Sequence, residues 1–328
     1  MAYSRVLVVC PGNALTAGPE ALHQLVDELV GLGVNASIVY HPFDRRFSVP
    51  EPYRKYRATV GEYVDAPGNM ILFPEIFPTS ALRVRHAQAA IWWMSVNNYT
   101  CVRYESQLRD NIRYLRNLLK GRRPWRGISA LKGLKHFAQS HYAETFLAEH
   151  GIASSPLSDP IPVYLDPDYL SALDRKPDGE RQNVILYNPT KGAKVTARLM
   201  DAYPDWSFQP LRGLDRSALA KKFLEAKLYI DFGHHPGKDR LPREAALHGC
   251  CVVTSRHGSA ADPIDVPIPD RYKLDPRDGA FVPTFGSEVT RIFDAFGTCS
   301  EDFDYYRHAI RREVPLFRSQ VAASFTAS

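Results

Sequence analysis

The sequence predicts an α/β protein of two doubly wound domains facing across a cleft, each a parallel sheet covered by helices. Three observations point there. Short apolar, β-favouring runs alternate with amphipathic helical stretches along the chain, which is the pattern of βαβ units. The 328 residues suit two ordinary domains. A stretch carrying Pro156, Pro160 and Pro162 interrupts the alternation near the middle. It divides the chain into an N-terminal domain over 1–160 and a C-terminal domain over 161–305, with 306–328 as a terminal helical segment.

Residues 5–10 (RVLVVC) read as the first strand and 36–40 (ASIVY) as the second. Between them, 20–32 places Leu22, Leu25, Val26, Leu29 and Val30 on one helical face, and Gly33 ends the helix. The turn holding Gly18 lacks the GxGxxG spacing, so this opening is not a dinucleotide fingerprint. Residues 42–66 are polar and proline-interrupted and read as an excursion loop. Strands follow at 69–73 and 90–94, with a helix at 80–88 between them. Glu75 and Asn97 stand just past these strands, on the edge where such sheets bind ligands. A strand at 136–140 and a helix at 141–150 complete the domain.

In the second domain, strands at 183–187, 206–210, 228–230 and 250–254 alternate with helices at 193–202, 217–226 and 242–248. Pro242 fits the first turn of its helix, where a missing N–H costs nothing, and Gly249 fits the C-cap. A short helix at 290–296 and a long one at 302–323, kinked at Pro315, close the chain. Asp166-Pro167-Asp168 has the look of a metal-binding DxD but reads better as a helix cap followed by proline at the first helical position.

Hydrophobic residues are 45% and charged residues 23% of the chain, a globular balance. No apolar run approaches the ~20 residues that cross a bilayer. The chain enters a strand without signal-peptide architecture. The five cysteines (Cys10, Cys101, Cys250, Cys251, Cys299) are odd in number, and Cys250 and Cys251 point to opposite faces of one strand. They read as reduced thiols of a cytoplasmic protein, and no CxxC or HExxH spacing marks a metal site. The net charge of +5 is too mild to indicate a nucleic-acid partner. It is uneven, however: ten Lys and Arg fall between Arg103 and Lys135, against Glu105 and Asp110. Interleaved as they are with apolar and aromatic residues, they read either as a solvated face or as a surface for anionic lipid.

The chemistry concentrates at 229–259, YIDFGHHPGKDRLPREAALHGCCVVTSRHGS. A strand ends at Asp231, a loop with Lys238 and Arg240 leads into a helix N-terminus, and a second strand ends in a glycine turn with Gly258 and Ser259. A helix N-terminus carries partial positive charge and free N–H groups. With Lys238 and Arg240 ahead of it, the corner suits an anion, a diphosphate above all. Glu244 cannot hold phosphate but can accept hydrogen bonds from a ribose diol. The loop 188–192 (NPTKG) ends a third strand at the same edge, so Lys191 converges on the same anion. The alternative for each lone residue is a solvated loop or a cap.

At these residues the chain resembles the GT-B fold glycosyltransferases, whose two domains are Rossmann-like. NPTKG is similar to the loop whose lysine meets the donor diphosphate. PREAALHGCCVVTS (242–255) is similar to the segment whose glutamate holds the donor ribose. The N-terminal βαβ with Gly18 resembles their acceptor domain, and the terminal helix resembles the one that crosses back to it. The resemblance extends to uncharacterised proteins of bacterial surface-polysaccharide clusters. It implies a metal-independent transferase moving a sugar from a nucleotide-sugar donor to a glycan or lipid-linked glycan, with no further cofactor. The donor set is then Asn188, Lys191, Gly192, His235, Arg240, Arg243, Glu244, Gly258 and Ser259, with Asp231, Lys238 and Glu75 as catalytic candidates. The position where common retaining families carry a second glutamate, eight before Glu244, is Pro236. His235-Pro236 is instead similar to the His-Pro of transferases that use CMP-linked acidic sugars, which would make Asp231 a candidate nucleophile. A non-catalytic nucleotide-sugar binder and a nucleotide-sugar 2-epimerase share the expected architecture.

Overall fold

The first sheet takes strands β1 (Arg5–Pro11), β2 (Ala36–His41), β3 (Asn69–Pro74), β4 (Gln88–Trp93), β5 (Lys135–Ala138) and β6 (Ser155–Pro156) in the order β2-β1-β3-β4-β5-β6, all parallel. The second takes β7 (Gln182–Tyr187), β8 (Ser207–Pro210), β9 (Ala226–Asp231), β10 (Cys251–Ser255) and β11 (Lys273–Leu274) in the order β11-β10-β9-β7-β8, also parallel. The structure is a computed structural model and describes residues 3–100, 127–161 and 181–326. Two compact units result, Met1–Asp159 with Pro315–Ser328, and Pro160–Val314.

Strands buried on both faces read as continuous apolar runs, which is why VLVVC and MILF form parallel interior strands. Along β1, Val6, Val8 and Cys10 enter one core with Leu22, Leu25 and Leu29 of the Ala17–Gly31 helix. Leu7 and Val9 enter the other with Ile71, Phe73, Ile91 and Trp93. The first core also receives Phe317, Val321 and Phe325 of the Glu313–Phe325 helix, and Phe325 stacks on Phe137 with ring centroids 5.4 Å apart. Fully burying such side chains stabilises by roughly 1.5–3 kcal/mol each. Ser158 N–H donates to Gln320 Oε1 at 2.8 Å, fixing the same helix.

Each sheet grows one way and then reverses, between β1 and β3 in the first and between β7 and β9 in the second. Topological switch points of this kind open a crevice at the strand C-termini.

Several expected elements differ. The helix before β4 is only Pro78–Ala81. Phe281–Asp294 is one helix, because Pro283 falls in its first turn, where no N–H is needed. The expected kinked helix at 302–323 is two helices, Asp304–Arg311 and Glu313–Phe325. Pro315 lies in the first turn of the second, so the chain restarts rather than bends there. The helix expected at 242–248 is Arg240–Leu247, which moves Pro242 to its third residue. Residues 166–168 and most of the basic stretch 103–135 lie outside the described residues. Of that stretch, Lys135 Nζ donates to Tyr3 OH at 3.4 Å.

Candidate functional site

Three loops leave the C-terminal edge of the second sheet, after β7, β9 and β10, on either side of its switch point. Glycines let them touch. After β7, Asn188 Oδ1 accepts from Thr190 N at 3.0 Å and from Thr190 Oγ1 at 2.7 Å, which tightens the turn. The loop ends at Gly192, φ +62, ahead of the Ala193–Ala202 helix. A Cβ there would meet the Phe232 carbonyl carbon at 2.7 Å, so only glycine permits the approach. After β10, Gly258 has φ +61, and a Cβ would sit on the His235 carbonyl.

Ser259 stitches the loops together. Its N–H donates to His235 O at 2.9 Å and its Oγ to Gly237 O at 2.5 Å, while Ser255 Oγ donates to Gly233 O at 3.0 Å. Ser259, expected in the donor set, therefore has no backbone N–H to offer a ligand. That group is spent on holding the loop after β9.

The expected cations are each paired with a carboxylate. Lys191 Nζ lies 2.6 Å from Asp239 Oδ2. Lys238 Nζ lies 3.2 Å from Glu313 Oε1, and Arg243 NH1 lies 2.7 Å from Glu313 Oε2. Arg240 Nε lies 2.6 Å from Glu244 Oε1. Arg243, only 2% exposed, also donates to the backbone oxygens of Lys238 at 2.8 Å and Asp239 at 3.2 Å.

Asp231 is turned onto its own loop. Its Oδ2 accepts from Tyr229 OH at 3.0 Å and its Oδ1 from Gly233 N at 2.9 Å. His235 is 1% exposed, with Nδ1 2.9 Å from Asp239 Oδ2 and Nε2 3.2 Å from the Asp231 carbonyl oxygen. Burial works against its proton, but the Asp231 carboxylate and the Asp239 hydrogen bond prevail and raise its pKa. Burial likewise works to raise the Asp239 carboxyl. The hydrogen bond and charge of His235, with the charge of Lys191, outweigh it and hold Asp239 at about 2. The neighbouring His234 is pushed down to about 4 by burial and by the charges of His235 and His257.

Glu244 is fully buried. Burial raises its pKa despite the Arg240 charge beside it. Its Oε1 takes Arg240, while Oε2 has no hydrogen-bond partner among the described residues.

Glu75 belongs to the other unit, just past β3. It accepts from Met94 N at 3.2 Å, and burial lifts its pKa to about 7. Asp231, His235 and Asp239 bring potential ligand atoms within 4.8 Å of one another and are the one grouping among the described residues able to hold a metal ion. Tyr229 OH and Gly233 N–H bond the two Asp231 oxygens, and Lys191 and His235 share Asp239 Oδ2.

Two residues escaped the sequence reading. Asp239 had a local signal, standing four after His235 and just ahead of the helix. Glu313 had none, because it lies 70 residues from Arg243.

No protein-family model matches the chain, and no curated protein sequence does. Solved structures match along its whole length. A sucrose-phosphate synthase from Thermosynechococcus elongatus superposes with TM-score 0.65 at 13% identity, over 98% of this chain and 100% of that one. A glycosyltransferase from Rickettsia africae gives 0.59 at 13%, over 99% and 100%. An α-glucosyltransferase in complex with UDP and a 13-mer DNA gives 0.57 at 7%, over 97% and 99%. With two parallel sheets, each flanked by helices, the chain has the GT-B glycosyltransferase fold.

Proposed function

We propose that the protein is a glycosyltransferase that moves a sugar from a nucleotide-sugar donor, a nucleoside diphosphate sugar by preference, to a glycan or lipid-linked glycan in surface-polysaccharide synthesis. The observation that carries this reading is Glu244 Oε2, buried and without a hydrogen-bond partner among the described residues, beside the cations of the same edge. A buried polar atom left unsatisfied costs about 1–3 kcal/mol, and more when charged. A ribose diol supplies the missing donor. The α-glucosyltransferase neighbour was solved with UDP, which supports a diphosphate.

In glycosyl transfer a phosphate leaving group departs from an oxocarbenium-like centre, and preorganised positive charge stabilises that departure. Lys191 and Lys238 take this role, Arg240 orients Glu244, and Glu244 takes the ribose. Positive side chains supply the charge, so the reading requires no metal ion. His235 has both ring nitrogens engaged within the chain, which favours the diphosphate donor over the CMP-linked one.

No helix among the described residues is long and apolar enough to cross a membrane. The basic stretch 103–135 supports peripheral contact with an anionic inner membrane face, where a lipid-linked acceptor would lie, for a protein otherwise in the cytoplasm.

The test is thermal shift against UDP, GDP, ADP, dTDP, CDP and CMP, followed by donor hydrolysis and transfer assays. A ligand that binds only the folded state raises its stability. Stabilisation by one nucleoside diphosphate, with turnover of its sugar, is the expected result. Stabilisation without turnover makes the protein a binder, a change in the sugar's configuration with no acceptor present makes it an epimerase, and stabilisation by CMP alone restores the acidic-sugar reading.

A further inference from the structure

The cations of this edge share a construction. Lys238 and Arg243 share Glu313, at 3.2 and 2.7 Å, and Lys191 and His235 share Asp239 Oδ2, at 2.6 and 2.9 Å. In each group one cation is fixed. Arg243 is buried and bonded to the backbone at Lys238 and Asp239, and His235 is buried between Asp231 and Asp239. The other is a lysine, a compact ammonium on a flexible stem with three rotatable donors. The lysines are partly exposed, whereas the fixed cations are sealed in.

A buried carboxylate stripped of its partner is costly. Here neither carboxylate is stranded when its lysine moves, because Glu313 keeps Arg243 and Asp239 keeps His235. We infer that Glu313 and Asp239 are the resident counter-ions of the site: each holds a lysine while the site is empty and yields it to an incoming diphosphate. The inference rests on the transferase reading only in taking the ligand to be a diphosphate. Both carboxylates therefore act as positioning residues that oppose binding by their charge while presetting the lysines.

The consequence has an unusual sign. Replacing Glu313 by Gln removes one negative charge from between Lys238 and Arg243, so the folded protein should lose stability yet bind anions more tightly. Inorganic pyrophosphate is the probe, because it needs neither base nor sugar. Calorimetric titration of the full chain should show Glu313→Gln binding pyrophosphate about tenfold more tightly than wild type. The gain should be smaller for inorganic phosphate, which carries less charge, and should shrink as salt rises.

Asp239→Asn is the second variant, with the same expectation, and serves if Glu313→Gln does not fold. A merely structural carboxylate would lower stability and weaken every ligand alike. Equal or weaker pyrophosphate binding by the folded variants overturns the inference. If wild type binds UDP and the variants gain nothing, this inference alone falls. If wild type binds neither UDP nor pyrophosphate, the transferase reading falls with it.

Discussion

The buried His235 pairs with the partly exposed Asp239, Nδ1 to Oδ2 at 2.9 Å, and the far nitrogen of the ring faces the Asp231 carbonyl oxygen at 3.2 Å. A carboxylate and a carbonyl oxygen both accept, which favours hydrogen on both ring nitrogens and the cationic imidazole. Its pKa is raised in the folded protein from an ordinary value of 6.5. A proton held more tightly when folded stabilises fully below the unfolded pKa, and that stabilisation is lost as pH rises through the folded one. His235→Gln should cost about 3 kcal/mol near pH 6. The gap to wild type should narrow as pH rises above neutrality, as read by urea unfolding across pH. A gap that stays constant with pH would show that His235 is neutral. Asp239 acts at the other end. Its folded pKa of about 2 lies below the ordinary 3.8, so its stabilisation is present above 3.8 and lost as pH falls toward about 2.

Gly258 is where the loops after β9 and β10 cross. With φ +61 and the His235 carbonyl where a Cβ would go, Gly258→Ala meets both backbone strain and a backbone clash. The expected loss is about 2–4 kcal/mol of unfolding free energy, with nucleotide binding lost alongside. Gly279→Ala is the control, since nothing lies within 4 Å of a Cβ there, and it should stay within about 0.5 kcal/mol of wild type.

The contrast between these glycines and the charged residues shows what the sequence could convey. Parallel strands announce themselves as apolar runs, and glycines with Lys191, Lys238 and Arg240 after three of them announced a shared edge. Local chemistry was legible because it is encoded within a few residues. Partnerships were not. Lys191 and Asp239 are 48 residues apart, and Lys238 and Glu313 are 75 apart, so their pairing depends on strand order and on where the last helices turn. The partner of the Ser259 N–H was hidden for the same reason: it faces the His235 carbonyl only once β9 and β10 lie side by side. Pro315 was read as a kink because a proline's position within a helix turn decides between bend and restart, and spacing alone does not fix that position.

Lys191 is the cation that can leave its partner with least disturbance, since Asp239 retains His235. Lys191→Ala should therefore fold with a melting temperature close to that of wild type. Its kcat for the donor identified by the nucleotide panel should fall about 10²–10³-fold, as for loss of one preorganised group at a developing charge. Unchanged turnover would remove Lys191 from the reaction and leave it as a surface partner of Asp239.

Glu244 gives the sharpest separation of ribose from phosphate. Glu244→Gln keeps the shape of the side chain but exchanges its partner-free oxygen for either an amide nitrogen, which cannot accept from a hydroxyl, or a weaker neutral acceptor. UDP affinity should drop about 10–100-fold, the range for a charge-assisted hydrogen bond lost in a buried site. Pyrophosphate, which has no ribose, should bind within about twofold of wild type on the same energetic grounds. A 2′,3′-dideoxy nucleotide should bind wild type and variant equally, because the hydroxyls that Glu244 would accept from are gone. If the variant loses UDP and pyrophosphate in equal measure, Glu244 acts through Arg240 and the charge of the site, and the ribose assignment is wrong.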